Sequence, residues 1–246
     1  MSAVTKAIGL AKKLKHRYQD EIRARTPVYL SPVRRIERVS LPQRVCAMTF
    51  DDGPCRLPAN PSSDGKPLTL SLLESLEAFG ARGTFDIVGD TSENYPDKPG
   101  KAGSASWGGI RYDHYPDIHK DADGGAVHCP ELVQRILDGG HEITSHTYRH
   151  VLYGPKPLVY GGRQPFENLA EVTQDLRRLD ELMRRDYGYA IRLSRPPHYV
   201  DSTKDGFTSY DAHALLGYQY LAASFDGAGR LPLAGFDAEV DAMLCP

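Results

Sequence analysis

The stretch Thr49-Phe50-Asp51-Asp52-Gly53-Pro54 decides how this chain is read. An apolar run over 45–50 stops abruptly in two carboxylates and a Gly-Pro turn. A strand that ends this way delivers acidic side chains to the rim of a sheet, the usual place for chemistry. Far downstream a second signal follows, His146-Thr147-Tyr148-Arg149-His150. Histidines at i and i+4 share a face if the segment is one turn of helix. One carboxylate and two imidazoles make a ligand set for a divalent metal such as zinc with an open position, which leaves the other carboxylate as a base. Alone, Asp-Asp-Gly-Pro is most often a turn, and His-x-x-x-His is more often a pair of surface histidines. Both follow apolar, strand-like runs, and that shared context favours the joint reading.

Outward from these motifs the pattern alternates strand and helix. Strand 45–50 leads to helix 68–79, closed by Gly80, and strand 84–88 follows. After a long polar loop come helix 131–137, ended by Gly139-Gly140, and strand 141–145. Helix 166–185, strand 191–194, helix 208–216 and strand 218–224 complete the series. Such alternation predicts an α/β fold with parallel strands and helices outside. Asp51, Asp52, His146, His150, Arg195 and Asp226 all fall just after predicted strands. In a barrel or an open parallel sheet that is one face, the face that carries active sites.

Thr49 through Pro54, with Ser145-His146 through His150, resembles the polysaccharide deacetylases of the NodB-homology type, carbohydrate esterase family 4. Arg195-Pro196-Pro197 is similar to that family's Arg-Pro-Pro-aromatic motif, and residues 83–89 look like its second strand. The resemblance covers roughly 44–230 and implies a distorted (β/α) barrel. It implies a metal-dependent hydrolase that removes N-acetyl or O-acetyl groups from an oligo- or polysaccharide. By the same resemblance, zinc is held by Asp52, His146 and His150, and Asp51 is the base that deprotonates the attacking water. Arg195 is expected beside Asp51, holding it ionised, and the backbone N–H of His198 is expected to bind the oxyanion.

The chain also departs from the family's pattern. His198 and Tyr199 stand where relatives have an aromatic residue followed by Gly, and Asp226 is followed by Gly227 rather than a nearby Trp. Tyr199, Asp226 and Trp107 are candidate substrate contacts, Trp107 because sugars stack on aromatic rings such as those of Tyr95, Tyr112 and Tyr115 in the same loop. Asp86 occupies a strand position that is usually aromatic, open to a buried, paired or functional reading. The family's last strand, ending in a histidine that serves as acid, has no counterpart. His114, His119, His128 and His198 are conceivable substitutes, though loop histidines are the plainer reading. About five strand–helix units are read where a closed barrel needs roughly seven or eight, so the barrel is expected to be C-terminally incomplete, with residues 236–244 only beginning a helix. Two other functions stay open: a catalytically impaired metal- or glycan-binding remnant, and a hydrolase of a non-sugar amide.

Composition narrows the rest. With 246 residues, 40% hydrophobic and 25% charged, the chain is an ordinary globular protein. A net charge of -2 gives no argument for nucleic acid. Cys46, Cys55, Cys129 and Cys245 form no CxxC and no cluster, so reduced thiols are expected. Residues 1–43 form a basic preface, set apart from a catalytic domain at 44–246. Val4, Ile8, Ala11, Leu14, Tyr18 and Ile22 recur at helical spacing, for a helix packed on the domain or one resting on a membrane surface. Pro27, Pro32 and Pro42 then make an extended connector. No signal peptide or transmembrane run is seen, which makes the cytoplasm the default compartment.

Overall fold

The computed structural model describes Leu14 and residues 33–38, 46–58, 65–91, 106–107, 110–111, 123–154 and 165–224. Apart from Leu14, the expected N-terminal helix lies outside them, as do the Pro27, Pro32 and Pro42 breaks, Tyr95, Tyr112, Tyr115, His114, His119, Asp226, Cys245 and the start of a helix at 236–244. Six strands, β1 (Arg35–Ile36), β2 (Thr49–Gly53), β3 (Thr84–Ile87), β6 (Glu142–Ser145), β7 (Leu193–Ser194) and β8 (Gln219–Leu221), form one sheet. Its order is β1-β8-β7-β6-β3-β2, and every described pairing in it is parallel. A separate antiparallel pair, β4 (Ser106–Trp107) and β5 (Ile110–Arg111), lies in the long loop. The α/β expectation holds, and β1 shows that part of the extended connector joins the sheet beside β8.

The helices start at prolines or capping side chains, and the longest ends at a glycine. Helix α1 (Leu68–Ala78) follows Pro67, and α2 (Pro130–Asp138) opens with a proline, which gives up no needed N–H there. Helix α3 (Leu169–Tyr187) begins later than the apolar pattern predicts, because Asn168 accepts the Glu171 N–H at 3.0 Å and caps it. Gly188, at φ 63°, closes its far end in a left-handed turn. Helix α4 (Ser209–Leu216) opens on a Thr208/Asp211 capping box. Among the described residues no helix is long and apolar enough to cross a membrane.

Each helix buries one stripe. Leu73 and Leu76 of α1, Val133 and Ile136 of α2, and Val172, Leu176, Leu179 and Met183 of α3 pack with Phe85, Ile87 and Ile143 of the strands. Near β8, His213 of α4 is fully buried with its ring facing Tyr218 and Tyr220 at 6.3 and 5.8 Å.

The sheet is strongly rolled. Strands β8 and β2 stand four places apart, which would separate them by ~19 Å in a flat sheet. Yet one guanidinium, that of Arg195, meets Leu221 O of β8 at 3.4 Å and Thr49 Oγ1 of β2 at 3.1 Å. Curvature of this degree brings the C-terminal ends of the strands around a common mouth.

Candidate metal centre

Consecutive residues of a strand point to opposite faces, so Asp51 and Asp52 could not normally serve one site. Here they do. Strand β2 runs through both aspartates instead of ending before them, and its register with β3 shifts between Asp51 and Gly53. Asp51 pairs with Asp86, Gly53 pairs with Ile87, and Asp52 is the extra residue of a bulge with φ 66°. The bulge re-aims Asp52, so that both carboxylates serve the mouth of the sheet.

The histidine segment is also differently built than expected. Residues 146–150 are a bent loop, not a helical turn, and Thr147 (φ 76°) and His150 (φ 55°) take left-handed backbone. Side chains elsewhere hold this uncommon shape. Asp175 of α3, almost fully buried, accepts the Tyr148 N–H at 2.6 Å and Arg149 Nε–H at 2.7 Å. Tyr148 O accepts the N–H groups of Gly89 and Asp90, and a Cβ on Gly89 would lie 2.3 Å from the Tyr148 ring. Replacing Asp175 with Ala should therefore cost about 3 kcal/mol of stability, the low end for breaking a buried pair because Arg149 is partly exposed. Thermal denaturation checks this; an unchanged midpoint would show that the loop stands without its anchor.

These devices gather the predicted residues. Asp52 Oδ1 lies 3.2 Å from His146 Nε2 and 2.9 Å from His150 Nε2, with the two rings 5.1 Å apart. His146 Nδ1 lies 2.9 Å from both Arg195 O and Asp86 Oδ2. A carbonyl and a carboxylate can only accept, so Nδ1 carries a proton, and an Nε2 that has given up its own turns a lone pair toward Asp52 and His150. Three acceptors thus converge, and such a group calls for a cation. Two imidazole nitrogens and a carboxylate oxygen fit a divalent metal of the zinc type.

The same crowding sets the protonation of the metal-free site. Burial works against charge on Asp52, but His150 and His146 hold its carboxyl well below the usual range. Burial works against charge on His146 too, yet Asp86 and Asp52 keep it well above an ordinary histidine. Asp51 differs from expectation. Arg195 Nη1 does hydrogen-bond Asp51 Oδ1. Even so, desolvation, aided by the charge of Asp86, pushes Asp51 up to about 6 against the pull of His146 and Arg195.

Of the remaining candidates, two border the cluster. His198, exposed, sits in a 3₁₀ turn (Pro197–Tyr199) at φ 53°, its ring 5.7 Å from that of His150. In that turn the Tyr199 and Val200 N–H groups donate to Pro196 O and Pro197 O. Tyr199 is half-buried and packs beside Tyr210, Tyr220 and Ala222, with the Arg195 guanidinium 5.8 Å from its ring centre. Trp107 belongs to β4, and its side chain, like Asp226, lies outside the described residues. His128 contacts Asp90 at 3.0 Å. Cys46 and Cys129 are free thiols. Sequence reasoning missed Thr49, Thr144 and Asp175. Of these only Asp175 left a signal, a carboxylate on the apolar stripe of α3.

A family model described as polysaccharide deacetylase matches residues 38–220. The chain is 24% identical over 157 residues to a peptidoglycan-N-acetylglucosamine deacetylase of Bacillus cereus, a match covering 62% of this chain and 35% of that protein. It therefore spans about a third of the curated relative's length. Among solved structures, a peptidoglycan deacetylase from Bacillus subtilis aligns with a TM-score of 0.50 at 20% identity, over 84% of this chain and 71% of that one. A CE4 family pseudoenzyme from Bacillus anthracis aligns with a TM-score of 0.53 at 13% identity, over 87% and 55%. At these identities the structural likeness establishes the fold.

Proposed function

Because the chain belongs to the polysaccharide deacetylase family, we propose that it removes acetyl groups from an N-acetylated glycan of the peptidoglycan or chitin kind. The observation that carries this reading is the convergence of Asp52 Oδ1 with His146 Nε2 and His150 Nε2, at 3.2 and 2.9 Å. Those three residues would hold one divalent cation, zinc in this proposal. When bound, the cation polarises the acetyl carbonyl and acidifies water.

The chain's own residues do the rest. Asp51 accepts the proton of the attacking water at its carboxylate, and burial that raises its pKa to about 6 in the metal-free protein makes it a stronger base than an exposed aspartate while leaving it ionised at neutral pH. Arg195, hydrogen-bonded to Asp51 and Thr49, fixes the direction of that carboxylate. The His198 amide N–H is the proposed donor to the oxyanion. The left-handed backbone there sets the direction of this amide. Tyr199, Trp107 and Asp226 are kept as proposed contacts to the sugar.

Acetate release from N-acetylglucosamine oligomers, measured with zinc and after chelation, tests the proposal. Zinc-dependent release is expected. Zinc binding without release would instead identify a binding protein, and release only from small cyclic imides a non-sugar amidase. Zinc should also displace the proton that the metal-free site holds on His146. Calorimetric titrations at pH 7 in buffers of different ionisation enthalpy should show about one proton released per metal. Buffer-independent heats would contradict that protonation state.

A further inference from the structure

Asp86 has no role in the mechanism so far, yet it is the most deeply buried carboxylate of the site. It is fully buried on β3, in the row Asp51–Asp86–Thr144 that crosses β2, β3 and β6. Burying a carboxylate in a strand interior is costly and persists only where partners repay it. Thr144 Oγ1 donates to Asp86 Oδ1 at 2.5 Å. Oδ2 has no aligned hydrogen-bond donor among the described residues, and it lies 2.9 Å from His146 Nδ1 and 3.9 Å from Arg195 Nε. Its contact with both is therefore one of charge.

We infer that Asp86 is a positioning residue that matches the site to a dication: its charge strengthens His146 as a ligand and holds Arg195 between the two halves of the site. This rests on the reading of Asp52, His146 and His150 as the cation's ligands. The site holds three carboxylates, Asp51, Asp52 and Asp86, and one guanidinium, so it carries a net charge of -2 when the imidazoles are neutral, and one divalent cation balances it. Of the two carboxylates beside Arg195 only Asp86 also touches a liganding imidazole, so its removal is the one that weakens the cation's hold. Asp51, Asp86 and His146 also approach one another within 4.8 Å, as a second metal's ligands would. The Arg195 guanidinium already serves those carboxylates, so the group reads as an ion cluster and not as another metal site.

Zinc affinity, measured by calorimetry against a competing chelator, tests the inference without reference to turnover. Asp86→Asn is expected to weaken zinc binding 10–100-fold, the usual effect of losing an outer partner of a liganding histidine. Thr144→Val keeps the charge but removes the hydrogen bond that ties β6 to Asp86, and should stay within about threefold of wild type. Equal losses in the two variants would mean that Asp86 only holds the strands together, and would overturn the inference. So would unchanged affinity in a folded Asp86→Asn. Where that variant fails to fold, Asp86→Leu serves, because a well-packed apolar group in place of a buried charge is often neutral for stability. If wild-type protein binds no zinc, the metal reading falls and takes this inference with it. If wild type binds and the Asp86 variants bind as tightly, this inference falls alone.

Discussion

Asp51→Asn should lower acetate release by about 10²–10⁴-fold, the contribution of a positioned general base, while zinc affinity stays within a few-fold of wild type. The two aspartates of the bulge have separate surroundings. Asp52 faces the imidazoles, whereas Asp51 faces Arg195. An amide at position 51 keeps the shape and the hydrogen bond but cannot take a proton from water. The reverse substitution, Asp52→Asn, should abolish zinc binding and release together. The wild-type profile should also carry an acid limb, because Asp51 must be ionised to act. Its pKa of about 6 in the metal-free protein sets the upper bound, and a bound dication draws the limb lower. Retained release in Asp51→Asn would remove that residue from the mechanism.

The second large effect concerns stability. His213 is fully buried, neither ring nitrogen has a hydrogen-bond partner among the described residues, and burial depresses its pKa to about 3. In the unfolded chain the same group titrates near 6.5. The unfolded state therefore binds a proton below that pH while the folded state refuses it. Stability from the neutral ring is fully present above pH ~6.5 and is lost as pH falls toward ~3. Linkage gives a loss of about 3 kcal/mol between pH 7 and pH 4. Urea denaturation at those two pH values should show His213→Leu losing about 3 kcal/mol less than wild type. Parallel losses in the two proteins would mean that His213 takes up its proton as readily in the folded chain as in the unfolded one.

The legible parts of the sequence were those set by repeating physics. Apolar periodicity marked α1 to α4 and most strands of the sheet, and the Asp-Asp and His-x-x-x-His motifs named the converging residues. The illegible parts were set by partners distant in the chain. Strand β1 is two residues long and exists because β8 lies beside it. The histidine loop looked helical by spacing, but Asp175, on a helix later in the chain, bends it. Asp51 and Asp52 looked equivalent until the register of β3 placed a bulge between them. Arg195 was expected to dominate Asp51, and the burial that overrides it is a property of the folded cleft, not of either residue.

Arg195 has one further consequence. Its guanidinium touches β8 and β2 at once, so it fastens the rolled sheet as well as orienting Asp51. A descendant that gave up turnover would still need that clasp to keep its shape. Selection for folding alone would preserve the arginine long after the base had drifted. In surveys of related genes, this arginine is therefore a poor marker of a living enzyme, and position 51, the proposed base, is the better one.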